Sequence, residues 1–490
     1  MKKAELKNFI FIDFLFLAII IVIAISLRLY KINTPLADLH SWRQADTAAV
    51  ARNFAKSGFD LMHPRYDDLS SIQSGIENPN GLRMVEFPIY NAIFGYFYKL
   101  FPSYPVEVYG RLTSVFFSLF IIAIIYYLCL KEEGRITAIV AAFIYAIFPF
   151  FVFFSRAVFP ETTALSFAFI SIFFLYKWTK SNPKRFLLSA VFYILSMVFF
   201  ALALLIKPTA IFYGIALLYI FWEKSGFSLV KKISFYLYFF LSIIPFIMWR
   251  KYILQFPEGI PASGWLITSV NTFEGLKNIF FKPAFFRWIF FERMNNYIFG
   301  GYLSFFFILG IISRTKKYLL HSILLSAFAY LFVFQGGNVQ HEYYQIMILP
   351  VLAVFVGLGA SFLLKYSKIF INQLFVLIIA LFFFALSLFF SYYNVRNYYK
   401  YPNDLIQIAN IISSLTSEND KIVTDRMGDT TLLYLANRRG APAQYKNLNE
   451  FKKDGYSYFV TANKETINSL KLAKEYQVVF ENDQFVLFKL

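Results

Sequence analysis

Residues 9–29, FIFIDFLFLAIIIVIAISLRL, decide the class of fold that this sequence specifies. The stretch is almost wholly apolar and carries only two charged side chains, Asp13 and Arg28. A helix needs about 20 apolar residues to cross the hydrocarbon core of a bilayer, which is roughly 30 Å thick. Because no small-residue cleavage site follows a short apolar core, we interpret the stretch as a retained first membrane-spanning helix.

The rest of the chain has the same character. Its 490 residues are 58% hydrophobic and 16% charged, with 64 Phe and 34 Tyr, which excludes an ordinary water-soluble globular protein. We identify eleven apolar runs as candidate spans and interpret a shorter run, at 88–101, as a re-entrant or interfacial helix. The eleven runs lie at 9–29, 107–130, 136–154, 162–178, 186–206, 208–222, 233–250, 296–313, 318–335, 345–364 and 370–392.

Basic residues predict the orientation of these spans. The formal net charge is +18, but Lys and Arg separate the apolar runs and form no single basic stripe, so we expect no nucleic-acid partner. With the N-terminus in the cytoplasm, five short basic connections fall on the cytoplasmic side, as the positive-inside rule requires. These connections are 131–135, 177–185, 224–232, 314–317 and 365–368. We therefore predict an integral protein of the plasma membrane whose C-terminal end is extracytoplasmic.

The sequence predicts two parts. Residues 1–392 form a transmembrane module that includes a long outer loop, 31–106, and residues 393–490 form a small extracytoplasmic α/β domain, because charged residues return there. The periodicity of this tail predicts helices at 404–415 and 430–440, strands at 420–426 and 456–460, and a two-stranded hairpin at 476–490.

Ionisable side chains collect on the predicted outer face, where their cost at a membrane edge suggests a function. In the first loop, helical spacing places Arg43 and Asp46 on one side of a helix. A carboxylate beside a cation and a low-dielectric wall is suited to act as a general base for an acceptor hydroxyl. The alternative is a solvated ion pair on an interfacial helix.

Other polar residues stand at the ends of apolar runs. Arg111 at the start of the second span either clamps a phosphate or marks a helix end. Glu161 opens a later helix, where a carboxylate is also ordinary capping. Lys207, just before Pro208, suits an anionic group such as a lipid phosphate, although topology alone also accounts for it.

A last polar group, His341, Glu342, Tyr343 and Tyr344, follows a Gly-containing turn and suits phosphate or sugar hydroxyls. It lacks the second histidine of a zinc-hydrolase helix, and the chain has a single cysteine, so we predict no structural or catalytic zinc. The sequence also lacks the GxxxxGK[ST] loop that cradles nucleotide phosphates, which disfavours a nucleotide-driven pump.

Together these motifs carry a resemblance to a known family. They are the first-loop Asp46 helix, Glu86-Phe87-Pro88, Gly110-Arg111-Leu112, Ser155-Arg156 with Glu161, Lys207-Pro208 and His341-Glu342-Tyr343-Tyr344. In this order, over about residues 1–365, the chain resembles the GT-C glycosyltransferases, in particular the branch of the protein O-mannosyltransferases and the bacterial aminoarabinose lipid A transferase. The resemblance implies a GT-C-like fold of about eleven transmembrane helices followed by a C-terminal α/β domain.

The resemblance also implies a reaction. A polyprenyl-phosphate sugar would pass its sugar, by inverting displacement, to a hydroxyl of a lipid, glycan or protein acceptor, with membrane lipids as further partners. Asp46 would be the base and Glu161 the second catalytic residue. The residues assigned to the donor are Arg43, Glu86, Arg111, Lys207, His341, Glu342 and Tyr344. No cofactor is assigned, and a divalent cation is left open.

Two departures from the family pattern leave alternatives. Trp42-Arg43-Gln44 stands where the family often has adjacent acids, so Asp38 competes with Asp46 as the base. Glu86-Phe87-Pro88 stands where the family often has Glu-Lys-Pro, which removes one expected phosphate partner. The competing functions are a secondary transporter or lipid flippase with an outer binding domain, and a polymerase or ligase acting on lipid-linked oligosaccharide.

Overall fold

The computed structural model describes residues 3–182, 185–268, 279–367 and 372–490, with side chains at 11–182, 185–267, 279–367 and 372–490. The chain divides into two compact units that interleave along the sequence. The first, here called the helical unit, contains residues 1–30, 112–248 and 263–397. The second, here called the mixed unit, contains residues 31–111, 249–262 and 398–490.

The α-helices of the described residues are numbered in chain order. They are α1 (Lys3–Arg28), α2 (Ser41–Ser57), α3 (Ile89–Leu100), α4 (Val106–Glu132), α5 (Arg135–Ile147), α6 (Pro149–Phe154), α7 (Pro160–Lys180), α8 (Phe186–Ile206), α9 (Gly214–Ser225), α10 (Ile233–Ile253), α11 (Trp265–Thr268), α12 (Pro283–Phe286), α13 (Leu303–Ile312), α14 (Leu319–Val333), α15 (Gln335–Gln340), α16 (Leu349–Tyr366), α17 (Gln373–Val395), α18 (Asn403–Leu415), α19 (Thr431–Leu435), α20 (Leu448–Lys453) and α21 (Lys464–Ala473). Short 3-10 segments include Pro208–Tyr213 and Glu342–Ile348, and Arg287–Ile298 is a π-helix.

The predicted polytopic helical architecture is confirmed. Within the described residues, seven helices are long and apolar enough to cross a membrane, or eight if one bent pair counts as a single span. That pair, Pro283–Ile298 and Leu303–Ile312, bends by 118°. The eleven predicted runs exceed this number because several of them are broken or short, as α5 and α14 are.

The predicted run 136–154 shows why such runs break. Pro149 lacks the N–H that would continue α5, so the helix ends at Ile147 and α6 starts at the proline. The carbonyl groups freed at this break need partners where water is scarce. Arg28 supplies them, because its guanidinium donates to the carbonyl oxygens of Tyr145 and Ala146, each at 2.8 Å.

Two glycines permit a close contact between helices of the helical unit. A Cβ atom on Gly359 of α16 would overlap the carbonyl oxygen of Phe306 in α13, and a Cβ on Gly310 would overlap that of Phe355. Small residues at such crossings let two helix backbones approach closely, as is common in membrane bundles.

The mixed unit contains a five-stranded sheet in the order β2-β1-β3-β5-β4. The strands are β1 (Lys421–Thr424), β2 (Arg439–Ala441), β3 (Tyr456–Thr461), β4 (Gln477–Glu481) and β5 (Val486–Lys489). The strands β2, β1 and β3 are parallel, whereas β5 and β4 form the predicted antiparallel hairpin. The predicted helix at 404–415 and the strands near 421 and 456 are confirmed. The sequence did not predict α20 and α21.

The predicted helix at 430–440 is wrong in its second half. The helix α19 ends at Leu435, Asn437 takes a left-handed conformation with φ 53°, and Gly440 lies in β2. Gly440 was predicted as the last residue of that helix, but the absence of a side chain there permits close contact between two strands. A Cβ there would overlap the carbonyl oxygen of Ile422 in the neighbouring strand.

Residues 398–490 of the C-terminal tail and the predicted outer loop 31–106 belong to the same compact unit. Two backbone hydrogen bonds join them, from the Leu69 N–H to the Gly440 oxygen at 2.7 Å and from the Gly440 N–H to the Asp67 oxygen at 2.9 Å. The contacts therefore group the tail with the loop. The predicted boundary between residues 392 and 393 separates a membrane-embedded part from an extracytoplasmic part, and it stays a prediction.

Parts of several predicted segments lie outside the described residues. They are residues 183–184 and Lys368 in two basic connections, residues 269–278 in the predicted outer stretch 251–295, and residues 370–371 of the last apolar run.

Replacing Gly359 by alanine tests the helix crossing. Alanine normally favours a helix over glycine by up to about 1 kcal/mol, but here we expect a loss of about 1–3 kcal/mol in stability, because the methyl group forces α13 and α16 apart. Gly214→Ala in α9 is the matched control, since its nearest neighbour would stand at an ordinary 3.5 Å. Thermal unfolding of the two purified variants measures the difference, and equal melting temperatures would contradict the close contact.

Candidate active site

The helix α2 carries the first-loop candidates. Although it lies in a loop of a membrane protein, its polar residues Arg43, Gln44, Asp46 and Arg52 are buried. It packs closely against α3, because a Cβ on Gly95 of α3 would stand only 2.8 Å from the carbonyl oxygen of Ala51. Buried charges of this kind must be paired, and their partners define the site.

Asp46 is held by two residues that sequence reasoning did not select. Its carboxylate is fully buried, with Oδ2 3.1 Å from Nη2 of Arg83. Its other oxygen, Oδ1, accepts a hydrogen bond of 2.7 Å from the Thr430 hydroxyl. Among the described residues Oδ2 has no aligned hydrogen-bond donor, although Arg83 neutralises its charge. Asp46 thus retains one oxygen with capacity to accept a further proton or hydrogen bond.

Arg43 pairs with a different carboxylate. Its Nη2 lies 2.6 Å from Oε1 of Glu86, and both side chains are largely buried. The expectation that Arg43 stands as the cation beside Asp46, whether in a site or as a solvated pair, is therefore corrected. Spacing along a helix identified two neighbouring positions, but Arg83 and Glu86, from the segment before α3, supply the actual partners.

Arg111 and Asp38 hold the start of the outer loop. Nη1 of Arg111 donates to the carbonyl oxygens of Ile32 at 2.8 Å and Thr34 at 2.5 Å. Its Nη2 is 3.8 Å from Oδ2 of Asp38, whose Oδ1 accepts from Gln44 at 2.7 Å. Arg111 thus binds backbone carbonyl groups of the outer loop, and its role at a donor phosphate stays a prediction. Asp38 thus contacts both Arg111 and Gln44, and its candidacy as the base stays a prediction.

A second buried acid stands beyond Arg83. The Arg83 guanidinium lies 5.0 Å from the ring centre of Tyr66, and the Tyr66 hydroxyl is 3.5 Å from Oδ2 of Asp68. The backbone N–H and hydroxyl of Ser70 donate to the Asp68 carboxylate at 2.8 and 2.6 Å. Burial outweighs these hydrogen bonds and raises the pKa of Asp68 from 3.8 to about 7.

In the helical unit, Glu161 and Lys207 form a buried ion pair. Glu161 is in the first turn of α7 and fully buried, and its Oε1 lies 2.6 Å from the Lys207 ammonium. Lys207 stands in extended conformation between the end of α8 and the 3-10 helix that Pro208 begins. The ammonium also lies 5.6 Å from the ring centre of Tyr344, a cation–π distance. The structure thus joins three of the predicted residues.

Buried hydroxyl groups occupy the same elements. Thr162, Thr163 and Ser166 follow Glu161 in α7, and Thr209 follows Lys207. In the described parts of the chain, the hydroxyls of these four residues have no hydrogen-bond partner. Buried polar groups are normally satisfied, so such a cluster is typical of a place where water or a polar ligand binds.

The residues at 341–344 make an ion pair, ring contacts and a backbone hydrogen bond. Oε1 of Glu342 lies 2.6 Å from Nη1 of Arg293, a residue that the sequence did not mark. The His341 ring stacks on Tyr343, with centroids 5.4 Å apart, and meets the Trp265 ring edge-on at 6.0 Å. Tyr344 is fixed through its backbone oxygen, which accepts from the Tyr330 hydroxyl at 2.9 Å.

Each unit therefore contains its own set of predicted residues. Arg43, Glu86, Asp46 and Arg111 are in the mixed unit, and Glu161, Lys207, His341, Glu342 and Tyr344 are in the helical unit. The residues that sequence reasoning missed are Arg83, Thr430 and Arg293. A basic residue near Glu86 was a usable signal for Arg83, whereas a threonine in the distant tail gives no signal. Over the described residues, no cluster of three or more His, Cys, Asp or Glu side chains could hold a metal.

Comparison with known proteins decides the fold. The family model described as dolichyl-phosphate-mannose-protein mannosyltransferase matches residues 86–249. The crystal structure of ArnT from Cupriavidus metallidurans bound to undecaprenyl phosphate superimposes with a TM-score of 0.68, covering 96% of this chain and 97% of that chain at 14% identity. This chain has the GT-C fold. A search of curated proteins gives no significant match.

The GT-C fold also relates the chain to an archaeal enzyme. The oligosaccharyltransferase AglB from Archaeoglobus fulgidus, in complex with an inhibitory peptide and a dolichol-phosphate, superimposes with a TM-score of 0.58. It is 13% identical, and the match covers 92% of this chain and 69% of that chain. The predicted resemblance to GT-C glycosyltransferases is thus confirmed, while the roles of individual residues stay predictions.

The pKa of Asp68 generates a test of its surroundings. A carboxyl whose pKa is raised by folding holds its proton in the folded state, so its favourable contribution is complete below about pH 4 and is lost as the pH rises towards 7. Asp68→Asn cannot ionise and removes this dependence. We expect the melting temperature of the natural protein, relative to Asp68→Asn, to fall between pH 5 and pH 8. Parallel curves for the two proteins would contradict the burial of an ionisable Asp68.

Proposed function

We propose that this protein is a membrane glycosyltransferase that transfers a sugar from a polyprenyl-phosphate donor to an acceptor hydroxyl at the outer face of the membrane. The observation that carries the proposal is a fully buried carboxylate, Asp46, held by Arg83 and Thr430 in a chain with the GT-C fold. The polyprenyl carrier is supported by the undecaprenyl phosphate and dolichol-phosphate bound to ArnT and AglB. The acceptor is a lipid, a glycan or a protein.

Asp46 is the general base in this proposal. The acceptor oxygen attacks the anomeric carbon and its proton passes to the carboxylate, while the bond from that carbon to the phosphate oxygen breaks and the prenyl phosphate leaves with the electron pair. Direct displacement of this kind inverts the anomeric centre. Oδ2 is the oxygen that receives the proton, since Oδ1 already accepts from Thr430. Arg83 pairs with the buried carboxylate and orients it.

Lys207 is the donor-phosphate ligand. A prenyl phosphate leaves readily once its charge is neutralised, and a buried ammonium supplies that neutralisation. The ammonium has three N–H donors, so it can keep its 2.6 Å contact with Glu161 and still bind a phosphate oxygen. Glu161 then acts by orienting Lys207. The unpartnered hydroxyls of Thr162, Thr163 and Thr209 suit the polar head of the donor.

The remaining predicted residues receive narrower roles. His341 and Tyr344 line the donor pocket in this proposal, with Tyr344 already next to Lys207. Glu342 and Glu86 act by balancing Arg293 and Arg43. Arg111 organises the outer loop. A requirement for a divalent cation stays open, and the outer-face orientation is supported by the positions of the basic connections alone.

Asp46→Asn tests the base. We expect release of undecaprenyl phosphate from purified protein, incubated with undecaprenyl-phosphate hexoses and candidate acceptors, to fall by about 10²–10⁴-fold, because proton transfer is lost. Undecaprenyl phosphate binding should be nearly unchanged. Asp38→Asn is the matched control, since Asp38 is a buried acid of the same segment. Full turnover in Asp46→Asn, with loss in Asp38→Asn, would move the base to Asp38. Turnover-free vectorial transport of the lipid would support the transporter alternative.

The double variant Glu161→Gln with Lys207→Met tests the donor site. It removes the ammonium without leaving a buried charge unpaired, so the fold should persist. We expect undecaprenyl phosphate to bind about 10- to 100-fold more weakly than to Glu161→Gln alone, since hydrogen bonds to charged groups contribute roughly 1.5–3 kcal/mol. Fluorescence titration measures the affinity. Equal affinities of the single and double variants would remove Lys207 from the donor site.

A further inference from the structure

The C-terminal segment reaches the candidate base through one short helix. Three hydrogen bonds connect α19 and its first flanking residue to α2. Thr430 donates to Asp46 at 2.7 Å, the Thr431 hydroxyl donates to Ser41 at 2.9 Å, and Arg52 donates to the Tyr434 oxygen at 2.7 Å. All of these residues are in the mixed unit. These bonds involve the N-terminal end of α19, at residues 430 and 431, and its last turn, at residue 434.

The Thr430 hydroxyl is diverted from its usual task. Thr430 is the N-cap residue of α19, a position where a threonine oxygen normally accepts from the backbone of the next turn. Thr430 makes no such bond, and its backbone is in the helical region with φ −79° and ψ −4°. Instead the carboxylate of Asp429 accepts from the Thr431 N–H at 2.8 Å. The local cap is thus provided by the preceding residue, which leaves the Thr430 hydroxyl for Asp46.

We propose that Thr430 is a positioning residue that fixes the Asp46 carboxylate for proton transfer, so that the C-terminal segment completes the active site. The inference rests on the proposed function, in which Asp46 is the base. Thr430 touches no reacting atom in this scheme. It donates to Oδ1, whereas Oδ2 lies beside Arg83 and, among the described residues, receives no aligned hydrogen bond, so Oδ2 is the oxygen that takes the acceptor's proton.

The geometry favours a specific contact over general packing. The Thr430 hydroxyl is 2.7 Å from Oδ1 of Asp46, whereas the carbonyl oxygen of Trp42 is farther away, at 3.3 Å. The carboxylate is therefore its principal acceptor. Asp46 and Thr430 are 384 residues apart in sequence. A single hydroxyl contributed from such a distance couples the folding of the tail to the geometry of the base.

Thr431 provides a matched control for Thr430. Both threonines are buried and both donate to α2 from the N-terminal end of α19, but of the two only Thr430 contacts Asp46. In Thr430→Val we expect the rate constant for undecaprenyl phosphate release to fall by about 10- to 100-fold, since a hydrogen bond to a charged group is lost. Undecaprenyl phosphate affinity should stay within about twofold of the natural protein, because the donor ligand is elsewhere in the scheme. Thr431→Val should keep the natural rate.

Rescue by serine separates positioning from structure. Thr430→Ser keeps the hydroxyl and should retain the rate within about threefold, whereas Thr430→Ala should resemble valine. If valine prevents folding, the serine and alanine pair answers the same question. The inference is overturned if Thr430→Val and Thr431→Val have equal rates, or if serine is as slow as alanine. It fails separately from the proposed function when Asp46→Asn is inactive but Thr430→Val is normal. If Asp46→Asn is active, both the role of Asp46 as the base and the positioning role of Thr430 are wrong.

Discussion

A charge removed from water must find a partner, and this constraint explains the polar residues of this protein better than their spacing does. Arg28 is the clearest case. It is fully buried near the end of α1, and it donates to Ser155 and to the carbonyl groups that the break before Pro149 leaves unpaired. The same rule links Lys207 to Glu161 and Asp46 to Arg83. Candidate catalytic residues and residues that stabilise a broken helix are therefore both explained by the pairing of buried charges.

The architecture was predictable because the bilayer imposes length and apolarity on every spanning helix. The sequence predicted the polytopic helical fold and most of the strands of the tail. The sequence-based predictions failed where the same residue type occurs in more than one kind of local structure. Pro149 lies inside a predicted apolar run and breaks the helix there, and Gly440, the last residue of a predicted helix, lies in a strand. Tertiary contacts decide which local structure forms, and a single sequence does not show those contacts.

The candidate site was predictable by residue type and less so by partner. Asp46, Glu161 and Lys207 were selected because ionisable groups at a membrane edge are costly, and all three are buried and paired. Helical spacing suggested Arg43 as the neighbour of Asp46, but a cation from a loop, Arg83, is closer to it. Thr430 has no sequence signal at all, since a threonine before a short helix usually caps that helix. Long-range contacts of this kind require coordinates.

The association of the tail with the outer loop also solves a problem of the sheet. The strand β2 is at the edge of the five-stranded order, and an exposed edge invites pairing with other chains. Residues 67–69 of the outer loop cover it, with Asp68 bridged to Gly440 in parallel. Asp68 of this segment also lies next to the Tyr66 hydroxyl, and the Tyr66 ring contacts Arg83, the partner of Asp46. Protection of the sheet edge and support of the candidate base therefore depend on the same segment, so neither can be lost without disturbing the other.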